Sequence, residues 1–276
     1  MPKLSLITPI NLWNQDRLDK FLRCIKSVEE QTFKDFEWVI IDDGSSMEFD
    51  WENLLRDPQI PSVNIVHKEH AERVIAYNHA FQVAKGDWFA FLDSDDELKP
   101  MALERFNHRI EEFPKYKMLN FGWITHYEDG TYGFRDPFSP ERKKVGHEVF
   151  GGGNIANGSF IFNRSVYEDL GGYPGGMDGW VKGADCTEIN YPEYVNQPKP
   201  YIRDLLMNSP FNFSAAAQLE FPELRQYFMV DFEAEPEKIL KELGNPWGQD
   251  FFLFFKYSRK YHSKAIKEYL YIIHPR

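Results

Sequence analysis

Residues 89–98, FAFLDSDDEL, place three carboxylates, Asp93, Asp95 and Asp96, within four positions directly after an apolar run. Like charges this close raise one another's pKa unless a cation relieves them. One or two Asp at a strand end are ordinary turn chemistry. Three point either to a solvated acidic turn or to a site for a metal ion and an anionic ligand. Hard oxygen donors of this kind suit Mg²⁺ or Mn²⁺, which accept a few carboxylates and leave positions for the oxygens of an anionic ligand. A second acidic pair, Asp42-Asp43, precedes this cluster by about fifty residues and runs into Gly44-Ser45.

The patterning around these residues says how they are positioned. Residues 3–9 alternate and stop at Pro9, as a buried first strand would, and from Arg17 the apolar residues follow helical spacing. Residues 36–42 and 63–68 read as the next strands, 71–84 as a helix ended by Lys85-Gly86, and 88–92 as a nearly all-apolar central strand. This β-α-β order predicts an α/β fold with a mostly parallel sheet. In such a sheet, ligands bind beyond the carboxyl ends of the strands. Thr8-Pro9, Asp42-Asp43 and the 93–96 cluster all fall at such ends. Farther on, a helix to about Glu112, a strand near 117–125, an Asp129-Gly130 hairpin turn, a strand at 159–163 and a late strand near 265–276 are expected. Residues 171–222 read as irregular, and 247–262 as an aromatic helix.

With 276 residues and 42% hydrophobic content, the chain can form one large α/β domain. Its 24 Phe among 16% aromatics suit a Phe-rich core, and aromatic faces also suit sugar rings and bases. Trp123, Trp180 and Trp247 are candidates for either use. A net charge of −11 without a Lys/Arg run disfavours unaided binding to nucleic acid or to an anionic membrane, while a metal ion would still admit a small phosphorylated ligand. Cys24 and Cys186 lack metal-ligand spacing and read as packed free thiols. With no apolar run long enough for a signal peptide or a membrane span, a cytoplasmic protein is expected.

The ordered landmarks Thr8-Pro9, Asp42-Asp43-Gly44-Ser45, Ala84-Lys85-Gly86-Asp87 and Phe91-Leu92-Asp93-Ser94-Asp95-Asp96 resemble those of the inverting family 2 glycosyltransferases of GT-A fold. A single Asp-x-Asp signals little; the ordered set is specific. The resemblance is close over residues 3 to about 112, and GSFIFNRSVYEDLGGYP, with Arg164 and Gly171-Gly172, is similar to a stretch that lines the acceptor site in these enzymes. It implies a Rossmann-like, mostly parallel sheet flanked by helices, with a helical and irregular extension on the acceptor side. Residues 1–112 would form the nucleotide-sugar half and 113–276 the acceptor half of one continuous domain, with an insertion at 175–246.

The implied reaction moves a sugar, with inversion, from a nucleoside diphosphate sugar (UDP-sugar by family default) to an acceptor hydroxyl, as in glycan or polysaccharide synthesis. By the resemblance, Asp95 is the metal ligand, and Asp93 and Asp96 position ribose or metal-bound water. Asp43 contacts base or ribose, and Thr8 and Pro9 shape the pocket floor. The family's Arg-Asn pair is replaced by Tyr77-Asn78, with Arg73 one turn earlier as its substitute. Asp250, opening the aromatic helix, is the acceptor's base or a helix cap; Asp185 is the alternative base. His274 reaches the metal or diphosphate, or is incidental. A nucleotidyltransferase would want a Gly-rich, basic loop after the first strand, and ITPINLWNQDRL has none. A non-catalytic nucleotide- or sugar-binding module would tolerate loss of the acidic cluster, which is intact.

Overall fold

Every residue of β1 (Leu4–Ile10) and β2 (Phe36–Asp43) is buried, as parallel strands covered on both faces must be. The computed structural model describes residues 3–70, 73–137, 156–172, 253, 257 and 261–275. Within them, β3 (Val63–Lys68) pairs in parallel with β2, β2 with β1, and β1 with β4 (Trp88–Phe91). The helices between these strands are α1 (Gln15–Glu29), the short α2 (Trp51–Leu55) and α3 (Arg73–Val83). Asn14 caps α1 by accepting the Arg17 N–H at 2.9 Å, which starts the helix two residues ahead of its apolar periodicity.

Beyond β4 the sheet is mixed, not mostly parallel. Its order is β3-β2-β1-β4-β8-β6-β9-β5, with β7 paired to β6. Here β5 is Glu97–Leu98, β6 Met118–His126, β7 Tyr132–Arg135, β8 Phe160–Asn163 and β9 Ser263–Ile273. β8 lies antiparallel between β4 and β6, and β9 runs parallel to β6. The departure has a topological cause. Helix α4 (Ala102–Glu112) leads into β6, after which β7 turns back on β6 and β8 enters antiparallel to both β4 and β6. A hairpin reverses strand direction where a helical crossover preserves it. Among the described residues no helix is long and apolar enough to cross a membrane.

Two layers of side chains follow from the two-residue period of the strands. Leu4, Leu6, Trp38, Ile40, Trp88 and Ala90 join Phe21, Ile25 and Val28 of α1 and Leu103, Phe106 and Ile110 of α4 in one core. Alternating with them, Phe89 and Phe91 face Phe81 of α3, and Phe160 and Phe162 of β8 complete a cluster of rings 5.2–5.9 Å from their neighbours. Much of the phenylalanine excess is therefore core. Trp123 belongs to the first layer, packed rather than presented to a ligand; Trp180 and Trp247 lie outside the described residues.

The amino-terminal edge of the sheet is closed by a buried carboxylate. Glu37 accepts the Ser5 hydroxyl at 2.6 Å, the Gly86 N–H at 3.1 Å and the Lys85 N–H. A Cβ on Gly86 would lie 2.6 Å from the Ser5 nitrogen and hydroxyl oxygen, so only glycine lets the turn approach β1 this closely. Arg164 opens α5 (Arg164–Leu170) and clamps the same turn, donating to the carbonyls of Ala84 at 2.8 Å and Gly86 at 2.6 and 3.0 Å. The expectation that Arg164 lines an acceptor site is thereby corrected. It sits at the edge of the sheet opposite the acidic cluster, because β8 delivers it beside the start of β4 rather than its end. Gly86→Ala is expected to cost about 1–3 kcal/mol of unfolding free energy from overpacking. Glu37→Ala should cost about 1–3 kcal/mol for each donor left without an acceptor. Denaturant midpoints check both, and unchanged midpoints would contradict this account of the edge.

Candidate functional site

The carboxyl ends of β1, β2 and β4 share one rim, and the acidic turn leaves it from β4. Leu92 still bonds to β1 through Ile7, and the Asp96 N–H then closes a turn on the Asp93 carbonyl at 3.0 Å. β5 follows and pairs antiparallel with β9, Glu97 opposite Ile272 and Leu98 opposite Tyr271. This pairing brings the far end of the chain onto the cluster. The Tyr271 hydroxyl donates to Asp96 Oδ2 at 2.8 Å and accepts the Asp93 N–H at 3.0 Å, and the His274 N–H donates to Asp96 Oδ1 at 3.0 Å.

One carboxylate oxygen from each of Asp93, Asp95 and Asp96 lies within 4.8 Å of the others. Asp95 and Asp96 are buried and Asp93 is half-buried. Burial first, and then the neighbouring Asp93 and Asp95, push the Asp96 carboxyl well above the ordinary range, against the donors Tyr271 and His274. The Tyr271 hydroxyl is raised by burial, then by Asp96 and Asp93; the Cys24 thiol beneath is raised by burial, then by all three aspartates and Glu97. Each shift disfavours adding negative charge here. A hard divalent cation is the partner whose chemistry fits such a set of oxygens.

Protein cations meet part of this charge. Arg73, at the start of α3, donates to Asp93 Oδ2 at 2.7 Å, and the Tyr77 hydroxyl donates to Asp93 Oδ1 at 2.5 Å. The replacement of the family's Arg by Tyr77 therefore leaves both a cation and a hydroxyl on Asp93. Arg23 of α1 donates to the Asp95 carbonyl at 2.8 Å and lies 3.2 Å from Glu97. His274 Nε2 meets Glu97 at 2.5 Å. Burial and then Arg23 lower the pKa of this histidine against the pull of Glu97. With the ring neutral, its bond to Glu97 needs the hydrogen on Nε2 and leaves the lone pair on Nδ1.

At the end of β2 the parallel register sets Asp42 opposite His67 and Asp43 opposite Lys68. Asp42 meets His67 Nδ1 at 2.7 Å and accepts the Ser45 N–H at 3.0 Å. Asp43 pairs with Lys68 at 3.0 Å and with His70 at 2.8 Å. Gly44 has φ of 74°, and a Cβ there would meet the His70 backbone at 2.6 Å. An open cleft of about 530 Å³ lies between Asp42 and the 45–51 segment, where Trp51 meets the His67 ring edge-on.

The structure thus brings Asp93, Asp95, Asp96, Arg73 and His274 together, with Asp43 on the same rim. Thr8 and Pro9 lie below it. Thr8 is fully buried, and its hydroxyl accepts the Trp38 indole N–H at 2.8 Å; Asn11 instead reaches the Asp43 carbonyl. Asp250 and Asp185 lie outside the described residues. Tyr77, Tyr271, Arg23, Glu97, Asn11, His67, Lys68 and His70 were not read as site residues from sequence. The cluster VHKEH at a strand end was a visible signal for the last three. Glu97 directly continues the acidic run, whereas Tyr271 had no signal, because its place depends on β9 pairing with β5.

The model of glycosyl transferase family 2 matches residues 12–171, more than half of the chain. Among curated proteins, the chain is similar to YibD of Escherichia coli, an uncharacterized glycosyltransferase, with 35% identity over 102 residues, covering 37% of this chain and 28% of that protein. It is also similar to the O-antigen biosynthesis protein RfbC of Myxococcus xanthus, with 32% identity over 106 residues, covering 37% of this chain and 8% of RfbC. The match spans well under half the length of both. Among solved structures, S. aureus TarS superposes with a TM-score of 0.52 at 17% identity, over 88% of this chain and 43% of TarS, a likeness of fold. From the matched family, the ordered strand ends and the sheet that carries them, the chain belongs to glycosyl transferase family 2.

Proposed function

We propose that the chain transfers a sugar, with inversion, from a nucleoside diphosphate sugar to an acceptor hydroxyl in the building of a glycan or polysaccharide. The observation that carries this reading is the convergence of Asp93, Asp95 and Asp96 on the rim of a family 2 domain. The name of RfbC supports glycan synthesis as the setting. UDP-sugar is the first donor to test.

In this reading Asp95 and Asp93 would hold Mn²⁺ or Mg²⁺, with His274 beside them through its N–H on Asp96. A cation bound there supplies Lewis-acid stabilisation of charge on the departing diphosphate. Arg73 and Tyr77 fix the direction of Asp93, and Tyr271 and the His274 N–H fix Asp96. Asp43, steadied by Lys68 and His70, contacts the ribose or base, while Thr8 and Pro9 support the rim from beneath. Asp250, or else Asp185, takes the proton of the acceptor hydroxyl as it attacks.

Thermal-shift measurements with UDP, GDP and ADP, each with and without Mn²⁺, test the donor site. One nucleotide should stabilise the chain only when metal is present, and Asp95→Asn should abolish that stabilisation and cut UDP-sugar turnover at least about a hundredfold. No metal-dependent stabilisation by any nucleotide, together with wild-type behaviour of Asp95→Asn, would remove the enzyme reading. Tyr271→Phe should cost about 1–3 kcal/mol of stability, because it orphans the Asp93 N–H and one oxygen of Asp96. The same change should weaken the metal-dependent shift. Asp250→Asn should lower turnover about 10²- to 10⁴-fold while leaving the nucleotide shift in place. An unchanged rate would pass the role of base to Asp185.

A further inference from the structure

Among the described residues seven large hydrophobic side chains are exposed, and three of them stand in one hairpin: Tyr127 at 39%, Tyr132 at 57% and Phe134 at 58%. Asp129 and Gly130 form its tip, Gly130 with φ of 80°. Exposed aromatics on a short strand at the margin of a sheet are a liability unless a partner uses them.

Their arrangement is ordered. Register pairs His126 with Tyr132 and Ile124 with Phe134, so the two exposed rings of β7 share a sheet face with His126. The His126 and Tyr132 rings are stacked with centroids 4.6 Å apart and planes within 9°. The His274 ring stands edge-on to His126 at 5.1 Å. His274 is the residue whose ring meets Glu97 and whose N–H holds Asp96. Phe134 extends the strip the other way, edge-on to Tyr269 at 5.3 Å, and the Tyr269 hydroxyl donates to Asp136. A band of aromatic rings therefore runs from the acidic turn out along the β6–β7 hairpin, with a polar group at its far end.

We propose that this band is the acceptor platform and that its occupant is a pyranose ring of a glycan. The inference rests on the sugar-transfer reading and names the acceptor class for that same site. A pyranose presents an apolar C–H face and a hydroxyl rim, which complement the exposed rings of Tyr132 and Phe134 with the polar Asp136 beyond them; aromatic rings combine an apolar body with a specific geometry. Continuity with the acidic turn places such a ring on the path to a donor bound there. A second copy of the chain is the poorer fit. β7 has only four residues, carries Gly133 and ends in the exposed charge of Arg135, features that discourage edge-to-edge pairing.

Saturation-transfer NMR on the full chain tests the proposal. The probes are methyl β-D-glucopyranoside, methyl β-D-galactopyranoside, methyl α-D-mannopyranoside and methyl N-acetyl-β-D-glucosaminide. At least one should receive saturation on its ring C–H protons. Tyr132→Ser and Phe134→Ser should each bind it about two- to tenfold more weakly, while Tyr132→Phe and Phe134→Tyr, which keep the rings, should retain binding. The proposal is overturned if no pyranoside receives saturation, or if the serine variants bind as the parent does. It is also overturned if the parent is a dimer that Tyr132→Ser dissolves. Nucleotide stabilisation with Mn²⁺, measured in the same samples of the parent, separates the two readings. Ring-dependent pyranoside binding without it would leave the platform standing and remove the donor site, and the converse would remove the platform alone.

Discussion

Tyr271 stands between two parts of the acidic turn, its oxygen accepting the Asp93 N–H and its hydrogen directed to Asp96. The tyrosine arrives on β9, 175 residues along the chain from Asp96, and pairs antiparallel with β5, the two residues that leave the turn. Without that return, three carboxylates would sit on a loop with little to direct them. With it, Asp96 has a donor for each oxygen and Asp93 is aimed from the other side by Arg73 and Tyr77. β9 is itself held by Glu268, whose carboxylate takes Arg105 at 3.0 Å and Arg109 at 2.9 Å from α4. Burial opposes the charge on Glu268, but the two guanidiniums outweigh it and hold its pKa below the usual range. The strand that orients the site is thus pinned by a network of two arginines on one carboxylate, Arg105 bidentate, the geometry in which partly exposed ion pairs contribute.

The two edges of the sheet divide stability from chemistry. At the amino-terminal edge, Glu37, Ser5, Gly86 and Arg164 bond to one another and to backbone. At the carboxyl edge, buried and half-buried carboxylates crowd together with partial compensation. Crowding of this kind costs free energy unless partners or a ligand relieve it. That contrast separates two sets of motif residues in the same strand-loop units: Ala84-Lys85-Gly86-Asp87 builds the scaffold, and Asp93-Ser94-Asp95-Asp96 forms the candidate site at the carboxyl rim.

The charge distribution has the same logic at larger scale. The chain carries a net −11, yet its rim residues include Arg23, Lys68, Arg73, His67, His70 and His274. Each is engaged with an acidic partner, and Arg23, Lys68 and Arg73 offset part of the negative charge of the rim. A small, highly charged ligand accompanied by a cation can be received by such a surface, whereas a polyanion such as nucleic acid would meet no continuous basic track among the described residues.

Much of this was legible in the order of residues. The alternation through residues 3–9, the apolar run of 88–92 and the helical spacing between strands set the parallel half of the sheet, because burial on both faces and a period of two or 3.6 leave direct marks on sequence. The acidic turn and its place at a strand end followed from the same marks, as did the glycine at 86, although its reason, the close passage of Ser5, did not. Tertiary structure decided the rest. The antiparallel insertion of β8, the turning of Arg164 to the far edge, the burial of the Thr8 hydroxyl under Trp38 and the meeting of Tyr271 with Asp96 all join residues far apart in sequence. Such contacts depend on register and strand direction. Those are settled by packing of whole elements, which no local pattern of residue types records.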